Sequence, residues 1–269
     1  MPDHLQNVSR EVIRGNKKLV FPVMESSKSR LGGKIRYRWC WVAAASLLLF
    51  TGGPAVLLLW VIDRKHWLYP LALWGAEMWL KACGAKVEVK GLENLEADRP
   101  YLFVSNHRSY LDTAALFRYA GRRIGIVAKK ELLKVPILGQ GMSFVNIIAI
   151  DRSNPERARE TMRKAKEIMK SGYSFGVFAE GTRAMPGELL PFKKGAFHLA
   201  MQTEATVVPV AIKNTDWMMG KRKGMLFPGT IEMVLLEPIN TQDFIETNDL
   251  AGLLEKTREA VAKELAIQI

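Results

Sequence analysis

Hydrophobic and polar positions divide this chain into two unlike parts. Residues 39–62 run for about 24 positions without a charge, long enough for a helix to cross a bilayer core. Basic residues flank that run on both sides, Arg36 and Arg38 before it and Arg64 and Lys65 after it, and Gly52-Gly53-Pro54 sits in its middle. The flanks place both ends on the cytoplasmic side, which a re-entrant hairpin satisfies; a single pass is the other topology the pattern allows. Residues 67–80 follow with Trp67, Tyr69, Trp74 and Trp79 around one charge, Glu77. Aromatics at this density suit the headgroup level, although a buried core helix has a similar composition.

After Cys83-Gly84 the pattern becomes that of a soluble α/β domain. Short β-branched and aromatic runs predict strands near 86–89, 101–105, 123–128, 146–150, 174–178, 205–212 and 230–236. Helical spacing predicts helices near 110–120, 155–171, 195–202 and 247–267, the last with Leu250, Leu253, Leu254, Val261 and Leu265 on one face. Such alternation implies an α/β fold: a mixed, mostly parallel sheet flanked by helices, behind an N-terminal helical membrane-attachment motif. Pro209, inside an apolar strand, predicts an edge, a bulge or a close substrate approach. The expected organisation is a basic arm over 1–38, a membrane-anchoring helical motif over 39–84 and a catalytic domain over 85–269.

Charge sharpens the picture. The chain has 39 Lys and Arg against 27 Asp and Glu, a net charge of +12, which favours a polyanionic partner. The 1–38 segment carries Lys28, Arg30, Lys34, Arg36 and Arg38 beside Gly32-Gly33, and reads as a poorly ordered arm that seeks an anionic membrane surface. The apolar run over 39–62 begins too far from the start and lacks the layout of a cleaved signal peptide. Two cysteines, Cys40 and Cys83, give no metal spacing and no disulfide framework. The sequence has no nucleic-acid module, so nucleic acid is not an expected partner.

Candidate chemistry gathers at strand ends. In Tyr101-Leu-Phe-Val-Ser-Asn-His107-Arg-Ser-Tyr-Leu-Asp112, a strand runs into a turn and then opens a helix. Ser109 and Asp112 have the spacing of a capping box. On one continuous helix, residues five apart diverge by about 140°. With His107 in the turn, however, its ring and the Asp112 carboxylate can meet, leaving one imidazole nitrogen to take a proton from a hydroxyl. A plain helix cap beside an ordinary turn histidine is the competing reading.

A second junction, Phe178-Ala-Glu180-Gly181-Thr182-Arg183, ends a strand with a glycine that permits a sharp turn and a guanidinium suited to phosphate. Glu180 could hold Arg183 or lie near a substrate hydroxyl, and a simple Glu–Arg-closed turn is the alternative. Lys129 and Arg152 each follow an apolar strand and could point into the same crevice; Lys193 and Lys194 precede Gly195 at another helix start, where an anion is welcome. A Gly-x-Ser-x-Gly elbow, a Walker loop, a dinucleotide fingerprint and a His/Cys metal cluster are all missing, so neither a covalent serine mechanism nor a cofactor or metal is indicated.

Together these stretches resemble the glycerolipid acyltransferase family, which includes the bacterial 1-acyl-glycerol-3-phosphate acyltransferases. The Asn-His-x-x-x-x-Asp block is matched by Asn106-His107 through Asp112. The Lys-x-Glu-Leu block with its later Pro, Gly and Asp-Arg is matched by Lys129, Glu131, Leu132, Pro136, Gly139 and Asp151-Arg152. The Phe-Pro-Glu-Gly-Thr-Arg-Ser block appears as Phe178 to Ala184, and Val-Pro-Val as Val208-Pro209-Val210. The blocks come in family order between about 85 and 240, led in by Val89-Lys-Gly91-Leu-Glu93-Asn94. Ala179 and Ala184 depart from the family's Pro and Ser, which would alter acceptor geometry at that turn.

The resemblance implies that His107 is a general base oriented by Asp112. Lys129, Arg152 and Arg183 would bind the acceptor phosphate, with Glu180, Gly181 and Thr182 shaping the pocket. It implies transfer of an acyl chain from acyl-CoA or acyl-carrier protein, as co-substrate rather than cofactor, to the sn-2 hydroxyl of 1-acyl-glycerol-3-phosphate, giving phosphatidic acid. Another membrane lysolipid, aminolipid or glycolipid acceptor is the alternative within that chemistry; a non-catalytic basic binder is the alternative outside it. A membrane-resident acceptor and an amino-terminal two-helix motif imply monotopic attachment at the cytoplasmic face, as at a bacterial inner membrane.

Overall fold

A computed structural model describes residues 9–14, 17–22, 27–97, 99–142, 145–150 and 155–268. The first described elements are two antiparallel strands, β1 (Ser9–Arg14) and β2 (Lys17–Pro22), where the sequence suggested a poorly ordered arm. Helix α1 (Ser27–Leu47) passes through a π-helical stretch, Leu48–Gly52, into α2 (Gly53–Val61). Next come α3 (Leu68–Ala82), β3 (Ala85–Lys90), β4 (Tyr101–Ser105) and α4 (Tyr110–Tyr119). They are followed by β5 (Ile124–Lys129), α5 (Leu138–Met142), β6 (Ile147–Ile150), α6 (Pro155–Lys170) and β7 (Ser174–Phe178). The chain continues through α7 (Gly195–Thr203), β8 (Thr206–Lys213), α8 (Thr215–Met219) and β9 (Gly229–Leu235). Helices α9 (Gln242–Glu246) and α10 (Leu250–Glu264) close it.

Among the described residues, β3 to β9 form one seven-stranded sheet in the order β3-β9-β8-β4-β7-β5-β6. Every pairing is parallel except β8 with β9, so the sheet is mixed and mostly parallel, as the sequence pattern implies. Strand β4 is apolar from Tyr101 to Val104 because both faces of the sheet are covered. Tyr101 and Phe103 join the core that includes residues of α3 and α4, whereas Leu102 and Val104 join the core beneath α6, α7 and α10.

Pro209 lies in an interior strand rather than at an edge. Its carbonyl accepts from Leu236 N at 2.9 Å, so its missing N–H also faces the β9 side. There the antiparallel ladder starts only at Val210, paired with Leu235, and no ladder donor is lost.

Helices α1 and α3 are joined to this body more closely than a separate anchor would be. Gly33, Tyr37 and Cys40, four and three apart, form the inward face of α1. Gly33 has no room for a side chain, since a Cβ there would come within 2.5 Å of the Phe227 ring, and its carbonyl accepts from Leu226 N at 2.9 Å. Gly33 therefore marks a helix contact and not part of a loose arm. Leu68, Tyr69, Leu80 and Cys83 belong to the same buried core as Phe103 and Leu116, so the expected boundaries at 38 and 84 are not packing boundaries. Of the aromatics expected at headgroup level, Tyr69 is buried and Trp79 donates its Nε1–H to Cys40 O at 2.9 Å, while Trp67 and Trp74 remain exposed.

Gly52-Gly53-Pro54 does not fold the apolar run into a hairpin. The π-helical stretch widens the turn there, Gly53 N bonding Leu48 O, and this relieves the clash that Pro54 would make in a regular α-helix. Ser29–Val61 is thus one helix, long and apolar enough to cross a membrane. Its outward residues include Trp39, Leu49, Phe50, Leu57, Leu58, Trp60 and Val61, all exposed.

Candidate active site

Parallel strands β4, β7 and β5 are neighbours, so their carboxyl ends share one rim of the sheet. His107 leaves β4 through Asn106, which is fully buried. Its side chain replaces a pair of ladder bonds, donating to Ile212 O at 2.9 Å and accepting from Ile212 N at 2.8 Å. The turn that carries His107 is therefore held against β8.

Asp112 settles the two readings left open by the sequence, because one oxygen does both jobs. Oδ2 accepts from Ser109 N at 2.7 Å, closing the cap of α4, and from Arg108 N at 2.7 Å. It also lies 2.9 Å from His107 Nδ1. Two backbone N–H donors already converge on this oxygen and mark it as a carboxylate acceptor; in the neutral imidazole the proton then sits on Nδ1, facing it, and Nε2 keeps its lone pair. Asp112 is fully buried and the His107 side chain 17% exposed, so the pair has one closed end and one end open to a ligand. Phe178 stacks on the ring with centroids 4.2 Å apart and limits its rotation.

Glu180 does not pair with Arg183. Its carboxyl faces inward, accepting from His107 N at 2.6 Å and Leu190 N at 2.8 Å. Burial pushes its pKa up to about 7 against the lowering effect of those two donors. Gly181 turns the chain with φ of 71°, and Thr182 is exposed beyond it. The Arg183 guanidinium lies over the Tyr110 ring, 3.8 Å from its centroid. A Cβ on Gly181 would be only 3.2 Å from Lys193 Nζ, so a lysine lies over the same turn. The turn is closed by backbone bonds, Ala184 N to His107 O and Lys193 N to Ala179 O, both 2.8 Å. Alanine makes these as well as any residue, which is why Ala179 and Ala184 leave the turn intact.

Of the other candidates, Lys129 is the last residue of β5, at the same rim; its side chain and the whole of Arg152 lie outside the described residues. Arg108 and Asp216 carried no mark in the sequence, and Ser109 was marked only as a cap. Arg108, 6% exposed, donates to Glu188 O at 2.9 Å and to Asp216 Oδ2 at 3.2 Å. Asp216 in turn accepts from Gly187 N at 3.0 Å. Ser109 donates its hydroxyl to Met219 O at 2.9 Å. These bonds tie the His107 turn to the loop after Arg183 and to the end of α8. Their partners are too distant in sequence for spacing to betray them.

An imidazole with one nitrogen held by a buried carboxylate and the other open, at the strand ends of an α/β sheet near a guanidinium that has no ion-pair partner among the described residues, has the geometry of an acid–base site. Comparison with known proteins adds a family match. Residues 86–213 match the model of the family described as Acyltransferase. The 1-acyl-sn-glycerol-3-phosphate acyltransferase of Saccharomyces cerevisiae is 39% identical over 186 residues, covering 68% of this chain and 60% of that protein. The chloroplastic 1-acyl-sn-glycerol-3-phosphate acyltransferase BAT2 of Brassica napus is 33% identical over 208 residues, 75% of this chain and 60% of that protein. The chain thus spans about 60% of the length of these curated relatives. In fold it is similar to the crystal structure of the 1-acyl-sn-glycerophosphate (LPA) acyltransferase PlsC from Thermotoga maritima, with a TM-score of 0.75, 24% identity, and coverage of 88% of this chain and 96% of that one. Residues 86–213 thus carry the acyltransferase family's domain, and these relatives match the chain over 186 and 208 residues.

Proposed function

We propose that this protein transfers an acyl chain from acyl-CoA or acyl-carrier protein to the sn-2 hydroxyl of 1-acyl-glycerol-3-phosphate. The observation that carries the reading is the His107 Nδ1 held 2.9 Å from buried Asp112 on a ring that is itself partly exposed, which leaves Nε2 for a substrate. In the reaction, Nε2 takes the hydroxyl proton as the oxygen attacks the thioester carbonyl. Asp112 stabilises the imidazolium. Collapse of the tetrahedral species expels the thiolate, which takes the proton back from Nε2, leaving an ester and a free thiol. Such a base contributes about 10² to 10⁴ in rate. Arg183, with Lys129 and Arg152, binds the acceptor phosphate around the Gly181-Thr182 turn, while buried Glu180 keeps the His107 backbone in place. No cofactor or metal enters this scheme.

The protein docks on the membrane without crossing it. Both halves of the long helix touch the same globular body, Gly33 against Phe227 and the Gly53–Trp60 stretch across a groove from Pro136 and Ile137. A crossing would drag that body into the bilayer. The outward apolar face lies in the leaflet and the basic residues attract anionic headgroups, at the cytoplasmic face and in a bacterium at the inner membrane.

The test offers labelled acyl-CoA to the purified protein with lysophosphatidate, glycerol 3-phosphate or lysophosphatidylcholine, and repeats the series with acyl-carrier protein. Phosphatidate formed from the first acceptor, lost by about 10² or more in His107→Ala, is expected. Turnover of another acceptor alone would replace the substrate, and turnover unchanged in His107→Ala would overturn the mechanism.

A further inference from the structure

Beside the His107 turn lies a cleft of about 320 Å³, at the lower end of ligand-pocket sizes. Tyr37 of α1, Tyr110 of α4, Arg183, Met219 and Arg222 line it. Resting on the function proposed above, we propose that Arg222 and Arg183 together form a clamp for a phosphomonoester dianion, Arg222 being the residue that sets specificity for that group.

Charge is the first support. The Arg183 guanidinium lies over the Tyr110 ring, and among the described residues neither it nor the Arg222 guanidinium has a hydrogen-bond or ion-pair partner. No carboxylate lines the cleft. Two unpaired guanidiniums facing one space repel each other, and a dianion taken by both forks relieves that repulsion.

The loop carrying Arg222 gives the second support. In the basic run Lys221-Arg222-Lys223, the two lysines are turned onto protein carbonyls, Lys221 Nζ donating to Arg183 O and Lys223 Nζ to Trp217 O. Arg222 alone is left for the cleft, and it is held in a left-handed conformation at φ of 62°, which a side-chain-bearing residue rarely adopts. The loop is fastened to the catalytic turn by the Ser109–Gly220 bridge and by the Ser109 hydroxyl on Met219 O. Tyr37 brings the membrane-facing helix to the opposite wall, so a lipid phosphate raised from headgroup level would enter here.

Two phosphomonoesters have the right chemistry, that of the lysolipid acceptor and the ribose 3′-phosphate of acyl-CoA. The experiment compares full-length wild type with Arg222→Gln, which meets the same backbone strain, and Arg222→Lys. Kinetics are run with lysophosphatidate against monoacylglycerol, and with acyl-CoA against acyl-dephospho-CoA. Equilibrium binding of lysophosphatidate is measured in the inactive His107→Ala background. We expect Arg222→Gln to raise KM for one phosphorylated substrate by about tenfold, with kcat and the KM of its dephosphorylated counterpart little changed and Arg222→Lys intermediate. A rise with lysophosphatidate, together with weaker equilibrium binding, assigns the clamp to the acceptor; a rise with acyl-CoA assigns it to the donor. Values within twofold of wild type for both substrates, with unchanged binding, overturn the proposal. Binding of lysophosphatidate that depends on Arg222 in a protein without acyl transfer would leave the clamp standing and sink the reaction instead.

Discussion

At the scale of the residue, the site depends on what each polar group is denied as much as on what it is given. Asp112 Oδ2 is saturated by N–H donors, which fixes the tautomer of His107, and Glu180 is buried behind the same turn. Glu180 predicts a measurable pH dependence. Its folded-state pKa is raised to about 7 from 4.5, so between those values the native protein binds more protons than the unfolded chain. Stability contributed by the protonated carboxyl is therefore full below about pH 4.5 and is lost as pH rises towards about 7, by about 3 kcal/mol. Denaturant titrations across that range should show this decline in the wild type and a flatter profile in Glu180→Gln. Identical slopes would mean that Glu180 titrates normally.

At the scale of the element, the long helix shows how one sequence serves two neighbours. Its inward face is marked by Gly33, Tyr37 and Cys40, and its outward face by exposed Leu49, Phe50, Leu58 and Val61. Removing residues 1–84 would also strip Leu68, Tyr69, Leu80 and Cys83 from the core, so that truncation reports on folding before it reports on membranes. Changing Leu49, Phe50, Leu58 and Val61 together to serine spares both the inward face and the residues that line the groove against Pro136 and Ile137. That variant should keep its cooperative unfolding and move from the membrane pellet to the supernatant, since each outward side chain contributes about 1.5–3 kcal/mol when fully buried in lipid. Full retention in the pellet would place attachment elsewhere.

At the scale of the molecule, the +12 charge and the apolar face act together. Binding to vesicles containing phosphatidylserine should weaken as salt rises, because the Debye length shrinks from about 10 Å at 0.1 M to about 3 Å at 1 M. Binding to neutral vesicles should change far less. Equal salt response on both would show that the basic residues play no part in docking.

Much of the fold was legible in the sequence, and the reason is locality. Strand β4 announces itself by a continuous apolar run, because each of its faces meets a core, and α4 announces its start by Ser109 and Asp112. The strands and helices of the sheet lie within a few residues of the positions their periodicity indicates. The same cap spacing brought His107 and Asp112 together. Tertiary structure alone decided the rest. Asn106 and Ile212, Arg108 and Asp216, and Ser109 and Met219 are separated by 106, 108 and 110 residues, and a local pattern holds no trace of such partners. Glu180 turned inward because the backbone N–H groups of His107 and Leu190 needed an acceptor there, and Gly33 became a contact because Phe227 lies against it. Short-range periodicity and capping wrote the elements into the sequence; the pairing of distant polar groups, made only once those elements had packed, built the site.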